Sequence, residues 1–110
     1  MQSINWDKIK EHKVVPGLYG KFVHSETMTI AQWRFEAGAD LPAHNHPHEQ
    51  ITLVLQGKLE LTVGDDTLQL IPGDNLPIAS QVMHGGKALE PTIALDIFHP
   101  VREDFKEKYG

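Results

Sequence analysis

The sequence predicts an all-β sandwich, jelly roll or barrel, and three observations carry that prediction. Short apolar runs rich in β-branched residues recur along the chain, an apolar–polar alternation lies between two of them, and turn residues break the pattern at fairly regular intervals. The runs are "ITLVL" (51–55) and "TIALDIF" (92–98), each short enough for a buried strand. Between them "KLELTV" (58–63) puts Leu59, Leu61 and Val63 on one parity, and "GDD" (64–66) supplies a turn. "TLQLI" (67–71) then resumes with Leu68 and Leu70 on one face, which makes a hairpin with one wet side. Pro16-Gly17, Gly38, Gly57, Pro72-Gly73-Asp74 and Gly85-Gly86 punctuate the remainder. Phe35, Leu53, Leu55, Leu61 and Ile93 read as core, and helix is confined to the ends. "REDFKEK" (102–108) is the best helical segment, a short and mostly polar docking tail.

A chain of 110 residues fits one domain spanning 1–110, with room for a single core. The net charge of -5 argues against nucleic acid, whose phosphates need a surplus of Lys and Arg on one face. With no cysteine there is no disulfide, no thiolate metal site and no cysteine nucleophile, so imidazole and oxygen are the remaining metal ligands. The N-terminus "MQSINWDKIKEHK" has no apolar stretch of signal-peptide length, and no membrane-spanning run occurs elsewhere. A soluble, cytoplasmic protein without a membrane partner is expected.

The stretch "HNHPHEQ" (44–50) concentrates candidate ligands. Side chains on an extended strand repeat their direction every second residue, so His44 and His46 converge while Asn45 points away. A straight strand from 44 to 50 would cover roughly 20 Å. Bonds of about 2.1 Å from one ion cannot reach both ends, so the chain has to bend. Pro47 is the place for that bend. His48 and Glu49 then become corner residues, and Gln50 opens the next strand facing back toward the ion. The fourth ligand is His84 in "MHGG" (83–86), beside glycines that permit close backbone approach. The expected metal set is His44, His46, Gln50 and His84. Exposed polar residues are the bland alternative, and the spacing within its glycine frame argues against it.

The order Gly38, His44, His46, Gln50 and Gly57, with gaps of five, one, three and six residues, resembles the first motif of the cupins. Glutamate is the usual residue where this chain has Gln50. "PGD" (72–74) followed by His84 resembles the second cupin motif, with a longer gap than the commonest form. The resemblance covers about residues 30–100 and implies a double-stranded β-helix, a jelly-roll barrel with the metal inside. Within the cupins, "HNHPHEQITLVLQGKLELTVGD" and "LDIFHPVREDF" are similar to the small pectin-degradation cupins that linearise unsaturated uronates. In that family glutamine serves as a metal ligand, and an Asp, a Phe and an Arg line the active site; they match Asp96, Phe98 and Arg102. His99 departs from the pattern, where a small residue such as serine is expected.

Three neutral imidazoles and an amide oxygen leave a divalent ion its full charge, which favours polarisation of bound oxygen and attraction of an anion. The expected cofactor is a divalent transition metal: zinc, nickel, iron or manganese. The resemblance implies an isomerase or lyase-type enzyme acting on 4,5-unsaturated uronates from pectin or alginate breakdown. Arg102 would hold the substrate carboxylate, Asp96 would relay a proton and Phe98 would pack against the ring. Asp96 in the apolar "IALDIF" is costly unless paired or used, and Arg102 has a structural alternative in bridging to Glu103 or Asp104. Trp33 reads as packing with the option of lining the cavity, Arg34 as an optional anion contact, and His12 and His24 as surface residues. Two other functions fit the same residues. One is an iron-dependent dioxygenase. The other is a non-catalytic metal or sugar-acid binding module, disfavoured because no fused effector accompanies the barrel. Homodimers paired through edge strands are expected.

Overall fold

The computed structural model describes all residues, Met1–Gly110. A 3-10 turn at Trp6–Lys8 precedes ten strands: β1 (His12–Val15), β2 (Leu18–His24), β3 (Thr29–Phe35), β4 (Asp40–His44), β5 (Glu49–Gln56), β6 (Leu59–Val63), β7 (Asp66–Leu70), β8 (Asn75–Ile78), β9 (His84–Ala88) and β10 (Thr92–His99). A helix, α1 (Glu103–Tyr109), ends the chain, one residue displaced from the helical segment expected. No helix is long and apolar enough to cross a membrane.

Six strands form one sheet in the order β1-β2-β3-β10-β5-β8, and four form a second in the order β4-β9-β6-β7. Every neighbouring pair is antiparallel. Facing inward, the two sheets bury one cluster in which Leu18, Phe22, Trp33 and Phe35 meet Leu59, Leu61 and Leu70. The expected hairpin is β6–β7, turning at Gly64-Asp65, with Leu59 opposite Leu70 and Leu61 opposite Leu68.

Strand β5 departs from expectation. Its inner face carries Gln50, Thr52 and Val54, so Leu53 is only half-buried and Leu55 is 48% exposed; Ile93 on β10 is likewise half-buried. Alternation along β5 is real, but two of its three inward positions are polar, and the richest apolar parity therefore points outward. Phe35 and Leu61 are buried as expected.

Two features bring the strands close enough for a site. Gly57 has φ +92, and a Cβ there would run into the carbonyl oxygen of Pro91. Gly85 lets β4 lie against β9, because a Cβ would lie 2.8 Å from the carbonyl oxygen of Leu41. Between Leu41 and His44 the β4 register shifts by one residue, which re-aims His44 directly opposite His84.

The Gly57→Ala variant should lose at least about 2 kcal/mol of stability, the sum of left-handed strain and a backbone clash. Urea unfolding measures it, and a midpoint equal to that of the parent protein would contradict this packing.

Candidate metal centre

Three strand ends and one corner build the centre. His44 closes β4, His84 opens β9, Gln50 is the second residue of β5, and His46 lies in the bend between β4 and β5. The chain turns at 45–48, around Pro47 as expected. One ring nitrogen from each of His44, His46 and His84 lies within 4.8 Å of the others. Their ring centroids are 5.7 Å (His44–His46), 4.3 Å (His44–His84) and 5.0 Å (His46–His84) apart.

All three rings are held by the same device. Nδ1 of His44 donates to the carbonyl of Pro42 at 2.9 Å, Nδ1 of His46 to that of His48 at 2.9 Å, and Nδ1 of His84 to that of Val82 at 2.8 Å. A carbonyl only accepts, so each Nδ1 carries the hydrogen and each Nε2 keeps its lone pair. That is the arrangement a metal-binding imidazole uses. His48 contributes its backbone to the site, while its ring stays outside the trio.

Burial decides the charge state. Desolvation, reinforced by Arg102 and His84, lowers the His46 pKa from the ordinary 6.5 to about 4. His84 is also lowered, chiefly by desolvation. Neutral imidazoles are what a cation needs.

Gln50 is buried, and its Nε2 donates to Thr52 Oγ1 at 2.9 Å. Its Oε1 and the His46 Nε2 are buried with no hydrogen-bond partner. Two orphaned acceptors beside two further imidazoles fit a divalent transition metal, since otherwise each would be left desolvated and unpaired.

His44, Gln50 and His84 line a cavity of about 410 Å³ that is also lined by Asp96, Phe98 and Arg102, the other residues singled out in the sequence. Asp96 is buried on β10, opposite Thr52 on β5. Its Oδ2 accepts from Trp33 Nε1 at 2.8 Å, and its Oδ1 accepts a short bond from the Thr52 hydroxyl. Burial raises the pKa of this carboxyl, although Thr52 and Trp33 oppose the rise.

The Arg102 side chain is 8% exposed, with its guanidinium carbon 4.6 Å from the Phe98 ring centre and 3.7 Å from that of Phe105. Asp104 grips it from one edge, with Nε–Oδ1 at 3.0 Å and Nη2–Oδ2 at 2.7 Å. Arg102 thus bridges to Asp104, as its structural alternative has it, and also lines the cavity. Phe98 is almost fully buried and acts as a platform beneath Arg102 and beside His46, at 5.6 Å.

Residues 31–98 match the cupin domain family. The chain is a cupin. Among solved cupin structures, KdgF of a Halomonas species superposes with a TM-score of 0.90 and 30% identity, covering 96% of this chain and 98% of that one. An RmlC-like cupin of Shewanella frigidimarina gives 0.88 and 25%, covering 93% of each chain. An uncharacterised protein of Streptomyces coelicolor is 22% identical over 107 residues, 96% of this chain and 90% of its own.

Some residues of the cupin site escape a reading of the sequence, and others that it offers fall outside the site. Thr52 is one that escapes, although it shares the parity of Gln50 and is the polar residue next inward. Asp104 stands out in the sequence only as a structural partner of Arg102. Trp33 lines the cavity and also tethers Asp96. Arg34 points away, bound to Glu11 at 2.7 Å and stacked on Tyr19. His12 packs against Tyr109, and His24 bonds the Thr29 hydroxyl, so both are half-buried rather than free surface residues.

The metal-stripped protein should lose stability as pH falls from about 6.5 toward about 4. In that window the unfolded chain takes up a proton at His46 that the folded chain refuses, and proton uptake favours unfolding. Urea midpoints across this range check it; a flat profile would mean that His46 is not desolvated as described.

Proposed function

We propose that this cupin is a metal-dependent enzyme that linearises 4,5-unsaturated uronates. The observation that carries the reading is convergence: a seat for a cation, a buried carboxyl and a guanidinium line one cavity. The likeness to KdgF over nearly the whole of both chains supports it. The metal set is His44, His46, Gln50 and His84, and a divalent ion held there supplies a Lewis acid of undiminished charge.

The chain's own groups do the remainder. Asp104 occupies two of the five N–H donors of Arg102, which leaves three for the substrate carboxylate. Phe98 and Phe105 fix the plane of the guanidinium, so the carboxylate binds in one orientation. Asp96 takes the proton from the anomeric hydroxyl as the bond from that carbon to the ring oxygen breaks, leaving an aldehyde and an enolate. Returning that proton to the former alkene carbon converts the enolate to a ketone, so substrate and product are isomers. A carboxyl with a raised pKa suits this work, because it holds a proton between the two transfers. Trp33 and Thr52 each bond one of its oxygens, so the second lone pair of each is free for the shuttled proton.

The same reading makes the protein cytoplasmic, a homodimer, and one cupin domain over 1–110. The absence of cysteine suits a reducing compartment. Ile51 and Leu55, 41% and 48% exposed on the outer side of β5, supply apolar surface for a second copy.

Turnover is followed as loss of the ultraviolet absorbance of a 4,5-unsaturated galacturonate. Asp96→Asn should lower kcat by about 10²–10⁴, the usual range for a lost acid–base group. Arg102→Ala should lower kcat/KM by about 10–100-fold, as expected for one charge-assisted hydrogen bond. No turnover by protein holding one metal ion per chain would refute the reading, and oxygen uptake with iron would point to a dioxygenase instead.

A further inference from the structure

An amide ligand has two unlike ends: the oxygen binds a cation and the nitrogen does not. What decides which end of Gln50 faces the site is a line of three buried groups running away from it. Asp96 accepts at both oxygens, from Trp33 Nε1 and from the Thr52 hydroxyl. Thr52 has a single hydroxyl hydrogen, and it is committed to Asp96. Toward Gln50, therefore, Thr52 presents only a lone pair, which Gln50 Nε2 fills at 2.9 Å. Oε1 is left aimed away from this line, buried and without a hydrogen-bond partner.

We propose that Thr52, backed by Asp96, is a positioning residue that sets the Gln50 amide with its oxygen toward the metal. The same line of bonds dictates that residue 50 be an amide. The proposal rests on Gln50 being a metal ligand. A glutamate at this position has no hydrogen for Thr52, and three acceptors in a row would share one hydrogen. Thus the departure from the usual cupin glutamate and the presence of Asp96 are one feature, joined through Thr52. Register makes the link possible: Thr52 lies opposite Asp96, and Gln50 is the next inward residue on the same strand.

Reversing the line tests it. In the D96N variant the new amide would keep its oxygen for Trp33 and turn its hydrogens to Thr52, freeing the Thr52 hydrogen to point at residue 50. With Gln50 present, that hydrogen captures Oε1 and swings Nε2 into the site. When Q50E is added, it meets a carboxylate oxygen otherwise lacking a donor. Zinc affinity is measured by calorimetry and chelator competition on the full chain for the parent, D96N, Q50E and the double variant.

In the parent Gln50 background D96N should weaken zinc binding by about 10–100-fold, the usual loss when an outer group that orients a ligand is removed. In the Q50E background the same change should not weaken it. Equal losses in both backgrounds would show that Asp96 acts only through its charge, and no loss in either would show that it does not act on the site; each overturns the proposal. Should D96N fail to fold, substitutions at Thr52 alone decide. Thr52→Ser, which keeps the hydroxyl, should retain zinc affinity while Thr52→Val loses it, and equal affinities for those two would overturn the proposal. A parent protein that binds no zinc or other divalent transition metal would remove the ligand assignment itself, a failure distinct from the loss of this relay.

Discussion

Each imidazole of the trio commits its Nδ1 hydrogen to a backbone carbonyl two residues away, and the rest of the centre depends on that commitment. A free histidine samples two tautomers and several ring rotations. Here the backbone selects one tautomer and one orientation, so three lone pairs face a common space with no metal needed to arrange them. The carbonyls are themselves placed by the β4 bulge, the bend at 45–48 and the approach that Gly85 permits. Backbone geometry, more than the histidines alone, makes the site.

Burial then acts on the two sides of the cavity in opposite directions for one reason. Desolvation disfavours charge, so it lowers the pKa of His46 and His84 and raises that of Asp96. The result is a set of neutral donors able to take a cation, next to a carboxyl that keeps a proton more readily than usual. Arg102 is the exception: a guanidinium stays charged, and Asp104 with two aromatic faces makes its burial tolerable. The partly buried ion pair also leaves a directed edge of unused donors on the cavity that His44 and His84 line.

Much of this is legible in the sequence. Strand parity, the bend at Pro47 and the reach of a metal bond assemble His44, His46 and Gln50, His84 is singled out by the glycines after it, and the structure brings the three histidines into one group with Gln50 lining a cavity beside His44 and His84. Local chemistry suffices for such inferences. Pairings across the sheets are harder, because Trp33 is 63 residues from Asp96 and Thr52 is 44 from it, so neither bond leaves a trace in local pattern. Leu53 and Leu55 mislead for a related reason: a strand that devotes its inner face to a polar site carries its apolar signal on the other parity. Thr52 is within reach once Gln50 has been turned inward, since residues two apart share a face.

A crystal structure of the zinc-loaded protein, with anomalous scattering recorded at the zinc edge, would decide whether these four side chains share one ion. The expected result is one ion bonded at about 2.0–2.2 Å by Nε2 of His44, His46 and His84 and by Oε1 of Gln50, with every Nδ1 still on its carbonyl. An ion bound through Nδ1, or one that leaves the Gln50 oxygen uncoordinated, would contradict it.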